Sequence, residues 1–349
     1  MEKRPLDYAK ASMDTMMRKW EAPKLPPEGR FHYHQGVFLS GMYKSYELCK
    51  EEKYFDYIKS WVDAVITEDG VIKQADMGQF DDMQPGILLY PLYHCTGDAR
   101  YKKALDSLMV AIDCYPTTPE GGYFHKADLP EEMWLDGLYM QEFHHPEYFD
   151  EVIFQALTMQ KHTRDPKTGL LYHAWSYDRK VEWADKEPGC SPEFWGRAMG
   201  WVPVALLDEL DFIPADHPDR AKLEKMAVDL LKSLLAFQSE DGRWYQVVNR
   251  GDDPANWLEN SCSCLYVAAL CKAIRKGLLD ASYLEYAHKG YEGVIRSLTW
   301  EGDDLIIGNV CIGTGVGDYE HYIHRPVSAN DLHGVGAFLL MCEECEQVF

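Results

Sequence analysis

RAKLEKMAVDLLKSLLAFQSEDGRWYQVV, residues 220–248, holds two periodicities back to back. Over 220–237 apolar residues recur three and four apart with charges between them, the pattern of a helix with one wet face. SEDGRWYQVV (239–248) then joins an Asp-Gly turn to a short extended piece of alternating character. The next run, ENSCSCLYVAAL (259–270), is apolar around most of its circumference and rich in small residues, which suits a helix buried on all sides. One wet helix, one turn and one dry helix form the unit to look for along the chain.

The turn recurs in TEDGVIKQAD (67–76), TPEGGYFHKAD (118–128), PKTGLLYHAW (166–175) and EGDDLIIGNV (301–310). Repetition at such spacings marks a repeat architecture. Outer, half-wet helices are expected near 6–20, 52–67, 98–114, 147–162, 218–238 and 281–299, and inner ones near 34–49, 84–95, 132–143, 196–210, 260–275 and 332–345. Strict alternation of six outer and six inner helices describes an all-α chain folded as an (α/α)6 barrel, one catalytic domain over residues 1–349. An antiparallel helical array without closure is the alternative; the number six and the lack of polar capping repeats favour closure. The turns would share one end of the barrel, where the inner helices begin, and that end is the candidate pocket. Inner-helix N-termini there add a weak positive field suited to an anionic ligand.

The 349 residues are 46% hydrophobic, enough for a sizeable core. MEKRPLDYAKASMDTMMRKW (1–20) has no uninterrupted apolar stretch of the kind a signal peptide or anchor needs, so a cytoplasmic protein is expected. Ten cysteines in so large a chain fit free structural thiols in a reducing compartment. Cys262/Cys264 and Cys342/Cys345 each lack a second Cys or His pair at zinc spacing, so no metal site is expected. A formal net charge of −22 argues against nucleic acid and anionic membrane surfaces as partners. A small anionic ligand needs only a few converging cations and stays compatible with that count.

Three aspartates carry chemistry near the expected pocket. In QFDDMQPG (79–86) one of Asp81 and Asp82 is expected to cap the following helix, leaving the other to face the barrel interior. Asp136, in EEMWLDGLYM (131–140), reads as lying about a turn inside a helix among apolar neighbours, where capping is not available. Desolvation there should raise its pKa and suit it to general acid work; the bland reading is a structurally hydrogen-bonded Asp. His125 with Lys126, His173, Arg197, and the aromatic Tyr33, Trp134, Trp175, Trp195 and Trp201 gather at the same end. Aromatic faces stack on sugars and cations hold carboxylates, so a small acidic oligosaccharide is the expected partner, although Trp and Tyr also simply fill wide helical barrels. Arg197, beside two Trp in an apolar helix, needs a partner. GNVCIGTGVGDYEHY (308–322) matches neither dinucleotide nor P-loop spacing and reads as a glycine-permitted loop over the pocket mouth.

HYHQGVFLSGM (32–42), MWLDGLYM (133–140), LYHAW (171–175), SPEFWGRAMGW (191–201) and NDLHGVGAFLL (330–340), in that order, resemble the unsaturated rhamnogalacturonyl hydrolases of glycoside hydrolase family 105. The resemblance spans nearly the whole chain. It implies an (α/α)6 barrel and hydration of the C4=C5 vinyl ether of a terminal 4,5-unsaturated uronic acid left by pectin lyases, with no cofactor. By motif matches, Asp136 would protonate C4 and then act as base toward water, and Asp81 would position the water or sugar hydroxyls. Tyr33, His125, Lys126, Trp134, His173, Arg197 and Trp201 would contact substrate, with Lys126 and Arg197 holding the uronate. Ala198 stands where the family often has glycine, which bears on the exact substrate. A sugar 2-epimerase-like isomerase using His125 and His173, an inverting glycosidase acting on intact chains, and a non-catalytic carbohydrate-binding protein are the competing readings; monomer and homodimer both stay open.

Overall fold

A computed structural model describes residues 3–141 and 146–349. Outer and inner helices alternate along it: α1 (Pro5–Lys19) and α2 (Tyr33–Cys49), α3 (Glu52–Val65) and α4 (Leu89–Thr96), α5 (Ala99–Asp113) and α6 (Gly137–Met140). Then come α7 (Phe149–Thr163) and α8 (Gly196–Glu209), α9 (Arg220–Leu235) and α10 (Asn260–Arg275), α11 (Leu284–Arg296), a short α12 (Tyr319–Ile323), and α13 (Leu332–Glu346). The outer helices bury one stripe, as α3 does with Tyr54, Ile58, Trp61, Val62 and Val65. The inner ones bury more of their circumference, and α8 buries every residue. The sequence contrast between amphipathic and uniformly apolar runs thus becomes two concentric layers.

Closure is visible where the first inner helix meets the last. A Cβ on Gly41 of α2 would lie 2.8 Å from Leu339 Cβ, and one on Gly336 of α13 would lie 2.5 Å from the Val37 carbonyl oxygen. Only bare backbone lets these two helices approach so closely, and their contact shuts the ring. The open array is excluded, and the fold is an (α/α)6 barrel.

The turns after α3, α5, α7, α9 and α11 place Gly70, Gly121, Gly169, Gly242 and Gly302 at positive φ. Gly242 is the most constrained: its φ is 102° and an added Cβ would stand 2.1 Å from the Lys289 carbonyl oxygen. Gly242→Ala should therefore lose at least about 1–3 kcal/mol from backbone strain alone. A urea midpoint unchanged from that of the parent chain would count against this account of the turn.

Two inner helices differ from expectation. The second begins as a 3-10 turn, Gln84–Leu88, before α4 becomes regular, with Pro85 and Gly86 in that first turn. The third was expected over 132–143, of which 142–143 lie outside the described residues. Its first part is instead strand β1 (Glu132–Trp134), paired antiparallel with β2 (Ala174–Ser176) in the register Met133↔Trp175. Three further two-stranded ladders decorate the same end: β3 (Trp244–Tyr245) with β4 (Leu258–Glu259), β5 (Thr299–Glu301) with β6 (Asp304–Ile306), and β7 (Val310–Cys311) with β8 (Val327–Ser328). All ten cysteines are free thiols, and no described helix is long and apolar enough to cross a membrane.

Candidate active site

A cavity of about 310 Å³ opens at the end where the inner helices begin. Tyr33 from the start of α2, Asp81 ahead of α4, Asp136 at the start of α6, and Arg197 and Trp201 from α8 all line it. His125, Lys126 and Trp134 complete the set from the segment leading into α6. Eight of the nine residues expected from sequence therefore share one wall-to-wall space. The ninth, His173, lies fully buried directly behind Asp136. Trp175 is elsewhere, stacked on His162 with its Nε1 donating to the Pro188 carbonyl.

Asp136 departs from the sequence reading in two ways. It is the residue before α6 rather than one inside a helix, and its carboxylate caps no amide. It accepts from His173 Nε2 at 2.9 Å and keeps 14% of its side chain exposed. Burial alone would push its pKa up, but the His173 ring that faces and hydrogen-bonds it, with His125 and Arg197 nearby, holds it below the usual carboxylate range. The expected raised pKa is thus corrected: in the free protein this is a carboxylate.

His173 is held from its other side. The Gly317 amide donates to the Tyr322 hydroxyl at 3.1 Å, leaving the phenol's own proton for His173 Nδ1 at 2.7 Å. An ionised carboxylate only accepts, so Nε2 carries the proton toward Asp136. Tyr322, on α12 in the glycine-rich loop, was absent from the sequence candidates. The aromatic residues inside the DYEHY run were its only local signal.

Neither Asp81 nor Asp82 caps a helix. Asp82 instead anchors the preceding loop, accepting from the Asp76 amide at 2.8 Å and pairing with His32 at 2.6 Å and Arg30 at 3.1 Å. Burial opposes its charge, and those bonds win, keeping its pKa low. Asp81 is the one that faces the cavity, 2.9 Å from Lys126 Nζ and 3.8 Å from His125 Nε2. His125 stacks on Trp134 with centroids 4.3 Å apart, and its burial pushes its pKa down, so it faces the cavity as a neutral imidazole.

Arg197 finds the partners its sequence context demanded. Its guanidinium lies over Trp195, donates to the Cys311 and Ile312 carbonyls at 2.7 and 2.8 Å, and sits 3.9 Å from buried Glu259. It ties the following loop down, and Gly313, Thr314 and Gly315 of that loop form part of the cavity wall. Trp201 is nearly inaccessible and stacks on Tyr139.

The sequence matches the model of glycosyl hydrolase family 88 over residues 8–349. An unsaturated rhamnogalacturonyl hydrolase of Bacillus subtilis, YesR, is 28% identical over 296 residues, covering 80% of this chain and 79% of its own length. A glycoside hydrolase from family 105 of C. acetobutylicum superposes with a TM-score of 0.93 at 35% identity, over 97% of this chain and 99% of its own. The unsaturated glucuronyl hydrolase of Bacillus sp. GL1 shares the fold, with a TM-score of 0.68 at 15% identity over 97% and 95% of the two chains. A barrel closed around a carboxylate, imidazoles and indoles, matched along nearly its whole length, makes this chain a member of glycosyl hydrolase family 88 and of the family 88/105 group of unsaturated glycuronyl hydrolases.

Proposed function

We propose that the enzyme hydrates the C4=C5 vinyl ether of a terminal 4,5-unsaturated galacturonic acid on rhamnogalacturonan fragments, releasing rhamnose or another aglycone. The observation that carries this reading is the Tyr322–His173–Asp136 chain, which aims one carboxyl group into a cavity walled by Trp134, Trp195 and Trp201. The choice of sugar draws on the name of the Bacillus subtilis relative. Asp136, once protonated, gives its proton to C4. Positive charge develops at C5 and is shared by the ring oxygen. Water adds at C5, returning a proton to the Asp136 carboxylate, while Asp81 orients that water or the sugar hydroxyls. The C5 hemiketal opens to a ketone, the ring oxygen takes up a proton, and the hemiacetal left at C1 expels the aglycone alcohol.

Lys126 is the cation positioned to meet the uronate, since its side chain is part-exposed and, among the described residues, it pairs with Asp81 on the cavity wall. Arg197 supplies a fixed positive field, because two of its nitrogens are committed to main-chain carbonyls. Tyr33, Trp134 and Trp201 would pack on the sugar, and His125 would hydrogen-bond it. In the cytoplasm, the expected compartment, such an enzyme would receive short acidic oligosaccharides already cut by a lyase.

A depressed pKa on the proton donor has a kinetic signature. Above that pKa the protonated fraction of free enzyme falls about tenfold per pH unit, so kcat/KM should decline as pH rises from about 5 to about 8. A bound uronate brings a second negative charge near Asp136 and raises its proton affinity, so the falling limb of kcat should lie at higher pH than that of kcat/KM. Rising kcat/KM across that range would rule out a carboxyl donor.

The direct test is loss of vinyl-ether ultraviolet absorbance from an unsaturated galacturonyl-rhamnose disaccharide, run beside an unsaturated glucuronyl disaccharide. Faster decay of the galacturonyl-rhamnose substrate is expected. Decay of the glucuronyl substrate alone would overturn the sugar assignment, and decay of neither would overturn the reaction.

A further inference from the structure

The ring closes between α2 and α13, and at the pocket end of that seam three ligand-type side chains converge. Donor atoms of His34, Asp331 and His333 all lie within 4.8 Å of one another. His333 is fully buried, and its Nε2 is 3.0 Å from the Cys311 carbonyl oxygen. A carbonyl only accepts, so that nitrogen carries a proton and Nδ1 is left to face the cluster. Nδ1 is 2.7 Å from Asp331 Oδ1, an ion-pair distance, and makes no well-aligned hydrogen bond among the described residues.

The other two members face the same cluster. Asp331 occupies the N-cap position of α13, but its carboxylate accepts nothing from the helix amides and turns toward the imidazoles instead. His34 Nδ1 is buried without a partner, while its Nε2 lies 3.9 Å from Asp331 Oδ1. A buried imidazole nitrogen without a hydrogen bond costs roughly 1–3 kcal/mol, and His333 Nδ1 is such a nitrogen beside the carboxylate, with His34 Nε2 turned toward the same oxygen. Two imidazoles and a carboxylate are the donor set of many zinc-class sites, with water completing the coordination.

We propose that His34, Asp331 and His333 bind one divalent transition-metal ion of the zinc class, stapling the first inner helix to the last. Bonds of about 2.0–2.2 Å at tetrahedral angles set donors about 3.4 Å apart, so the widest donor pair would close by up to about 1.4 Å on loading, within reach of side-chain rotation. A groove of about 520 Å³ reaches His34 and Asp331 from outside the catalytic cavity and gives the ion a path of entry. His333 passes the constraint on, because the Cys311 carbonyl it holds also accepts from Arg197.

The test uses the full chain stripped with a chelator, then titrated with cobalt(II) chloride as a coloured substitute for zinc. One equivalent should bind per chain with visible d–d absorption, zinc should displace it, and the unfolding temperature should rise on loading. His34→Gln, which breaks no hydrogen bond among the described residues, and the isosteric Asp331→Asn should each weaken cobalt binding by at least about tenfold, with the circular dichroism of the parent. If the stripped chain takes up no cobalt, or if binding persists undiminished in both variants, the cluster is an imidazolium–carboxylate pair and the proposal is wrong. A variant that fails to fold is replaced by the other, since each removes a different donor.

Discussion

Asp136→Asn is expected to lower kcat by about 10²–10⁴-fold, the range over which a positioned general acid contributes. Asparagine keeps the shape of the side chain, and its amide oxygen can still accept from His173 Nε2, so the Tyr322–His173 arrangement should survive. What it lacks is an acidic proton for C4 and a basic oxygen for the water. KM should hold or fall, because the cavity walls and Lys126 are untouched and one anion is removed from the cavity. The check is vinyl-ether decay at saturating substrate, with near-ultraviolet circular dichroism to show that Trp134 and Trp195 pack as before. A fall of less than tenfold would remove Asp136 from the chemistry and return the donor role to Asp81 or a histidine.

The depressed pKa makes this variant more informative than a simple deletion. Asp136 shares its surroundings with His173, His125 and Arg197, all of which favour its charged form. Neutral asparagine removes the anion they stabilise, so a substrate carboxylate would meet a more positive cavity. If that tightens binding while kcat collapses, ground-state attraction and catalysis are separated in one protein, the pattern of a group that acts in the transition state.

The barrel was legible because its signal is local and repeated. Each outer helix carries its own apolar stripe, and each turn its own glycine, so the order of wet helix, turn and dry helix needs no knowledge of distant contacts. What failed was whatever depends on a partner far along the chain. EEMWLD has helix-like apolar spacing, yet its strand exists because Glu132–Trp134 pairs with residues some forty positions later. Asp136 and His173 were both candidates, but only the fold shows them bonded, and without that bond burial pointed the pKa the wrong way. One of Asp81 and Asp82 was to cap a helix, and for the same reason neither does: Asp82 is a loop anchor. The two cysteine pairs drew the metal question because they are adjacent in sequence; His34 and Asp331 are brought together only by ring closure.

Arg197 is the instructive intermediate case, since its need for a partner was plain from sequence and the partner's identity was not. That partner, Glu259, is fully buried at the N-cap of α10, where it accepts from the Cys262 amide at 2.6 Å, from Ser261, and from the Cys311 amide at 3.0 Å. It therefore begins an inner helix, neutralises Arg197 and fixes the strand leading to the cavity loop. Glu259→Gln should cost about 3–5 kcal/mol, because breaking one side of a buried pair strands the other charge. The denaturant midpoint measures that loss, and activity should fall with it as the Gly313–Gly315 wall loosens. The cause is isolated by repeating the change in an Arg197→Met background, where no stranded guanidinium exists. There Glu259→Gln should cost only what its lost cap and Cys311 contacts are worth, about 1–2 kcal/mol. Equal costs in the two backgrounds would mean that the 3.9 Å pair carries no coupling, and that Arg197 is held by carbonyls and the Trp195 face alone.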